Sequence, residues 1–346
     1  MKHMFKGCYT AIITPMKKNY KIDYEGLRSL VEFQVGQGVS GILAVGTTGE
    51  SPTLTWNEHI KVIKKVYDFC GGKCLTIGGT GSNNTKESID GTRLVSEYGV
   101  KCVLLVDPYY NGPSSLEIRR EYIEPIAHKF PDVQIIPYVI PGRTGTQLLP
   151  QDLAILHSRF DNVNAVKEAT GNLENMRLTR RLCGEEFDIL SGDDDKTFEM
   201  MKDPLIKASG VISVVSNVAP GPIQKFVNSA LSGNMADFES LNSILKPLFS
   251  IVTVKTEEET PFGLAQRRAR NPLTYKTLMN LLGMPSGPCR QPLGKMTRKG
   301  FEVVLNVART VYEKTPEIFN PVEDFFDVDL SKRLYEEKYW RGLFYD

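Results

Sequence analysis

A lysine interrupts an apolar run in the segment Asn162-Val163-Asn164-Ala165-Val166-Lys167-Glu168-Ala169-Thr170-Gly171. The first half of this segment reads as a strand that a parallel sheet buries on both faces. Lysine is among the residues least often buried without a partner. Desolvation disfavours the ammonium, so a buried lysine falls below its free value of about 10.4. A neutral amine at working pH is a nucleophile, and its natural partner is a carbonyl, giving a Schiff base. Taken alone, the segment favours a plainer reading, in which Lys167 is the first solvated residue beyond a strand.

Three other runs end in groups that would serve that chemistry. Gly46-Thr47-Thr48-Gly49-Glu50-Ser51 places adjacent hydroxyls between glycines, exposing N–H and O–H donors suited to a carboxylate or phosphate. Asp107-Pro108-Tyr109-Tyr110-Asn111-Gly112 offers a tyrosine pair, a pattern more often used for packing than for catalysis. Pro137-Tyr138-Val139-Ile140-Pro141-Gly142-Arg143-Thr144-Gly145 sets a phenol inside an apolar run, where it needs a hydrogen-bond partner. The Pro-Gly turn after it aims Arg143 back towards the strand ends, and a guanidinium fork matches a carboxylate. A solvated arginine in a turn is the bland alternative. Hydroxyls, phenols, an arginine and a lysine spread over four strand ends make a constellation for Schiff-base chemistry on an oxo-acid.

The elements that must hold these groups alternate. Strand-like runs begin near Cys8, Gly41, Cys74, Cys102, Ile135, Val163, Phe187 and Gly210. Helical patterns such as Tyr24–Gln37, Asn57–Phe69, Thr85–Tyr98 and Ser115–Lys129 lie between them, with Asp23 and Asn84 as capping side chains. Strict alternation predicts a parallel sheet. Eight units over roughly 220 residues favour an α/β fold closed as a (β/α)8 TIM barrel, with an open doubly wound sheet as the lesser alternative. Gly78-Gly79-Thr80-Gly81 lacks the spacing of a dinucleotide loop. After Ala219-Pro220-Gly221-Pro222 the alternation stops, and helices are expected at Ile223–Ser232, Met235–Thr253, Asn271–Leu282 and Thr297–Glu313. The expected division is a catalytic barrel over 1–233 and a C-terminal helical domain over 234–346. Its tail, Ile318–Asp346, is rich in aromatic and acidic residues and is expected to be ordered, against the body or a neighbouring subunit.

Composition narrows the class. The 346 residues include 42 basic and 41 acidic side chains, for a net charge of +1, which gives no footprint for nucleic acid or an anionic membrane. No apolar run approaches the ~18 residues of a membrane span, and Met1-Lys2-His3-Met4-Phe5 is too short and polar for a secretory signal. The six cysteines form no Cys-x-x-Cys pair and read as reduced thiols of a cytoplasmic protein. The four histidines (3, 59, 128, 157) are not at metal-ligand spacing, so no metal is expected.

GTTGES, DPYYNGP, YVIPGRTG, VKEATGN, SGDD and GVISVVSN, in this order, resemble the dihydrodipicolinate synthase/N-acetylneuraminate lyase family of class I aldolases. The resemblance covers about Phe5 to Tyr312. It implies a (β/α)8 barrel with a C-terminal helical domain, acting as a homotetramer (a dimer of dimers) and needing no cofactor. It implies that Lys167 forms a Schiff base with pyruvate and that Tyr138 shuttles protons with Thr47 and Tyr110, the latter reaching into a neighbour's site. It gives Thr48 the pyruvate carboxylate and Arg143 the distal carboxylate of the aldehyde partner, with Gly192 and Ile212 lining the pocket. The Thr47-Thr48 pair and Arg143 look like the synthase branch, whose aldehyde is L-aspartate 4-semialdehyde. Asp107, where many members have Thr, Val139, where they have Asn, an insertion at 202–209 and the tail beyond about Thr315 depart from the common pattern. The family's lysine-inhibitor site would fall on Ser51, Trp56, His59, Asn83, Glu87 and Tyr109. Two alternatives remain: a pyruvate lyase acting on a sugar acid or aromatic aldehyde, and a catalytically retired barrel with a regulatory or scaffold role.

Overall fold

The apolar runs become eight strands closed into one parallel barrel: β1 (Gly7–Ala11), β2 (Gly41–Ala44), β3 (Leu75–Gly79), β4 (Cys102–Val106), β5 (Gln134–Val139), β6 (Ala165–Glu168), β7 (Asp188–Ser191) and β8 (Gly210–Ser213). The computed structural model describes residues 5–345. Each strand pairs with the next, and β8 returns to β1 with Tyr9 opposite Ile212. Side chains alternate along each strand. Tyr9, Leu43, Ile77, Leu104, Ile136, Tyr138, Ala165, Leu190 and Ile212 pack inside the barrel. Ile42, Val103, Ile135, Val139, Val166, Ile189 and Val211 belong to the layer packed under the helices. By this alternation Lys167 shares the inner face with Ala165 and lies one layer nearer the C-terminal mouth. All four residues of β6 are buried, so the dry lysine follows from strand periodicity.

The crossover helices start where their caps dictate. In α1 (Tyr24–Gly36) Asp23 accepts from Gly26 N, and in α3 (Thr85–Glu97) Asn84 accepts from Lys86 N and Glu87 N. The helix α2 (Trp56–Cys70) begins one residue before the expected start, because Thr55 and Glu58 form a capping box. The helix expected over 115–129 contains a π turn, Ile118–Ile123, between Ser115–Glu117 and Glu124–Lys129. Pro125 has no N–H to donate one turn back, which widens the helix there.

Beyond β8 the helices Pro220–Leu231 and Met235–Ser250 follow as expected, but the second stops short of Thr253. An antiparallel hairpin, absent from the sequence reading, comes next: β9 (Thr253–Thr260) and β10 (Gly263–Arg270), paired from Thr260↔Gly263 to Thr253↔Arg270. Helices Leu273–Leu282 and Arg298–Lys314 complete the body. The tail is ordered and packs on its own chain. Phe325 and Phe326 meet Phe33 of α1 at 5.3 and 5.2 Å, and Phe344 meets Phe301 at 5.0 Å. The segment 202–209 is held by Arg180, which donates to Ile206 O (2.9 Å) and Lys207 O (3.1 Å). Among the described residues no helix is long and apolar enough to cross a membrane, and no His/Cys/Asp/Glu group could hold a metal ion.

Candidate active site

The loops after β2, β5, β6 and β7 and the foot of the hairpin meet at the C-terminal mouth of the barrel. An inner cavity of 80 Å³ is lined by Thr47, Thr48, Tyr138, Arg143, Lys167, Gly192 and Asp193, together with Val214, Arg270 and Asn271. An outer one of 230 Å³ shares Thr47, Tyr138, Ile140 and Arg143 with it and adds Ser51 and Tyr109.

Lys167 is 4% exposed, and its Nζ lies 4.1 Å from the centroid of the Tyr138 ring. The two residues are opposite each other in the β5–β6 register, so strand pairing sets this contact. Burial brings the Lys167 amine down to about 8; the negative charges of Asp193 and Asp194 oppose the shift, and Arg143 adds to it. Burial pushes the Tyr138 phenol up, while Arg143 and a hydrogen bond from Thr47 pull it back. Lysine and tyrosine are therefore both nearer their neutral forms than the lysine would be in water.

Space for the lysine depends on Gly192. A Cβ there would stand 2.8 Å from Ala169 Cβ and 3.1 Å from Lys167 Cε. Asp194, also buried, accepts from Val214 N (2.8 Å) and Ser213 Oγ; burial pushes it up to about 6. Asp193 is likewise raised by burial and is opposed by Lys167, Arg143 and Arg270.

Thr48 is 2% exposed, and its Oγ1 accepts from Asn271 Nδ2 at 2.9 Å. Asn271 Oδ1 is buried beside the cavity with no hydrogen-bond partner. The loop carrying both threonines is anchored from behind. Glu50 pairs with Lys276 at 2.6 Å and accepts from Arg290 N at 2.7 Å, both away from the cavity. Arg143 stands on the helical turn Pro141–Thr144 and donates from Nη2 to Asn271 O at 3.0 Å.

Eight of the residues singled out in the sequence come together here or flank the cavities: Lys167, Tyr138, Thr47, Thr48, Arg143, Gly192, Ser51 and Tyr109. Ile212 does not line the inner cavity. It is fully buried in the barrel interior, and Val214, one inward step closer to the mouth, takes the lining position. Tyr110 turns away from its own chain: it is 91% exposed, with φ +82°, an uncommon conformation for a bulky residue.

The six positions of the expected lysine-inhibitor site spread over one face of the molecule. Ser51 and Tyr109 line the outer cavity, whereas Trp56 and Glu87 line a groove between α2 and α3. Trp56 stacks on His59 at 4.6 Å, and His59 Nε2 lies 2.5 Å from Gly79 O, so that nitrogen carries the proton. Burial lowers His59 to about 4, which keeps it neutral. Glu87 accepts from Ser82 Oγ at 2.6 Å, and Asn83 is exposed on the adjoining loop.

Arg270, Asn271 and Asp193 escaped the sequence reading. Asp193 lay within SGDD, where nothing local marks it as facing a lysine on the preceding strand. The pair Asp107 and Glu168, buried beneath the mouth, was also unmarked as a pair. Burial raises Asp107 to about 8 and Glu168 to about 7, and Asp107 Oδ1 has no partner.

Residues 4–310 match the dihydrodipicolinate synthetase family. The chain is 40% identical over 291 residues to a 4-hydroxy-tetrahydrodipicolinate synthase of Methanococcus maripaludis, an alignment covering 84% of this chain and 93% of that relative. Among solved structures it resembles the dihydrodipicolinate synthase of Aquifex aeolicus (TM-score 0.81, 35% identity, 91% of this chain and 100% of that one). It also resembles the DHDPS of Cyanidioschyzon merolae with lysine bound (TM-score 0.80, 33% identity, 90% and 99% covered). A likeness that runs through all eight strands and the loops that shape their mouth places this chain in the dihydrodipicolinate synthetase family.

Proposed function

We propose that the protein is a Schiff-base-forming lyase of the class I aldolase type, a 4-hydroxy-tetrahydrodipicolinate synthase that condenses pyruvate with L-aspartate 4-semialdehyde. The observation that carries the proposal is Lys167, buried against Tyr138 with its amine brought down to about 8. At neutral pH about a tenth of such an amine is unprotonated, against less than a thousandth for a free lysine.

The Lys167 amine adds to the keto carbon of pyruvate, and loss of water gives the iminium. The iminium draws electrons from the methyl carbon, which loses a proton to become an enamine; the lysine is the electron sink. The enamine carbon attacks the aldehyde, and the new alkoxide takes a proton from Tyr138, which Thr47 orients. The semialdehyde's amine then displaces Lys167 from the iminium carbon and closes the ring. Thr48, fixed by Asn271, and the surrounding N–H groups hold the pyruvate carboxylate. Arg143 receives the carboxylate of the aldehyde.

Three further features belong to the same reading. The outward-facing Tyr110 would complete the site of a neighbour in a homotetramer, a dimer of dimers. The six free cysteines are in keeping with a cytoplasmic protein. Lysine is the proposed inhibitor at Ser51, Trp56, His59, Asn83, Glu87 and Tyr109, an idea that the lysine-bound Cyanidioschyzon merolae structure supports; a flat response to millimolar lysine would remove it.

The deciding experiment is borohydride trapping with pyruvate, followed by peptide mass spectrometry, with Lys167→Ala as control. A reduced pyruvyl adduct on Lys167 and turnover of aspartate semialdehyde are expected. Folded protein that yields no adduct would end the aldolase reading.

A further inference from the structure

The hairpin carries a second guanidinium to the cavity that holds Lys167. Arg270 ends β10 and lines the inner cavity with Arg143 and Asp193. The register shows which way this part of the ribbon faces. Thr253 and Lys255 pair with Arg270 and Arg268, so all four project from one face. From the opposite face Val254 is buried in the core under helix Arg298–Lys314, which packs on β9. The face bearing Arg270 therefore looks to the barrel mouth, and Arg268 with Lys255 extends its positive charge outward.

Arg143 and Arg270 converge at the hairpin's foot. Arg143 Nη2 donates to the carbonyl of Asn271, the residue directly after Arg270. Among the described residues, Arg143 and Arg270 are absent from every ion pair within 4.0 Å. Burial, then the charges of Arg270 and Arg268, hold Arg143 below its ordinary value; burial and Arg268 do the same to Arg270. Asp193 offsets this only in part, since both arginines stay below their ordinary values, so a further anion would relieve the like charges gathered in the cleft.

We propose that Arg270 is a specificity residue of this enzyme, closing with Arg143 on the carboxylate of the aldehyde substrate as a two-guanidinium clamp. The inference rests on the synthase reading and narrows its substrate class. Asp193 and Asp195 line the same cavity, so an ammonium on the carbon next to that carboxylate meets opposite charge. An α-amino-acid aldehyde satisfies both sets of groups. A polyhydroxy or aromatic aldehyde leaves both guanidinium groups unpaired, which a site built for charge rejects strongly.

The test is steady-state kinetics of Arg270→Ala, Arg270→Lys and Arg267→Ala, with pyruvate trapping measured on each. Arg267 projects from the opposite face of the same strand. Arg270→Ala is expected to raise the KM for aspartate semialdehyde by about 10- to 100-fold while leaving the KM for pyruvate and the borohydride adduct unchanged. Arg270→Lys should recover part of the loss, and Arg267→Ala should match the parent. An aldehyde KM within twofold of the parent in Arg270→Ala would overturn the clamp. Calorimetric binding of succinate asks the same question without turnover. Affinity lost in Arg270→Ala, from a parent that forms no pyruvyl adduct, would keep the clamp and sink the synthase reading; succinate binding equal to the parent's would sink the clamp.

Discussion

Arg143 and Arg270 reach one cavity from supports of opposite kind. Arg143 stands on a turn that leaves β5 directly, beside the buried Thr144, whose hydroxyl donates to Thr146 O at 2.8 Å. Arg270 stands at the foot of a ribbon whose far end is in solvent, with Phe262 99% and Leu264 69% exposed. The barrel holds its groups by packing, so its chemistry and its stability rest on the same atoms. The hairpin buries little beyond Val254, so what it contributes to recognition is separable from folding.

That contrast can be broken in order of effect. Lys167→Ala should lose the pyruvyl adduct and at least about 10⁴-fold in turnover, since nothing else in the cavity replaces the nucleophile. In the parent, the rate of adduct formation should rise about tenfold per pH unit up to about 8 and then level, because only the neutral amine attacks; a rise that continues undiminished from about pH 8 to 10 would contradict a lowered lysine. Gly192→Ala should cost about tenfold in kcat by pressing on Lys167 Cε, with a loss of about 1–3 kcal/mol in stability. A parent-like kcat would show that the strand end yields.

Asp107→Asn sharpens the barrel side of the comparison. Its folded value of about 8 stands above the ordinary 3.8, so its stabilisation is complete below about pH 4 and is lost as pH rises through about 8. The amide should raise Tm by about 3 °C at pH 8 and by less at pH 5; an equal shift at both would exclude titration as the cause. The smallest effect belongs to the hairpin tip, where Phe262→Ser should leave Tm within about 1 °C of the parent.

What was legible in the sequence follows the same divide. Strands buried on both faces announce themselves as apolar runs, and a charge within one, as at Lys167, is conspicuous. Tyr138 was found because it lies within such a run, and Thr47 and Arg143 because each follows one closely. The hairpin was not, because Glu257-Glu258-Glu259 masks the period of β9, and exposure on both sides of most of the ribbon leaves no apolar alternation to read. Ile212 came to the pocket only through the family resemblance; it lies one layer deeper than Val214, which lines the cavity, and depth along the barrel axis leaves no sign in one sequence. Arg270 and Asn271 carry no local sign at all; only the three-dimensional return of the chain to the mouth gives them a place.

Thr253 and Arg270 close the hairpin as its last pair, so the chain leaves the barrel and comes back at one point. Loop-closure entropy grows only slowly with length, and the ribbon beyond that pair could lengthen, shorten or change its letters while the foot stays in register. The chemistry of carbon–carbon bond formation sits where mutation is punished by unfolding. One half of the proposed clamp, Arg143, shares the barrel's framework, and the other, Arg270, stands at the foot of an appendage whose outer pairs can change without moving the lysine.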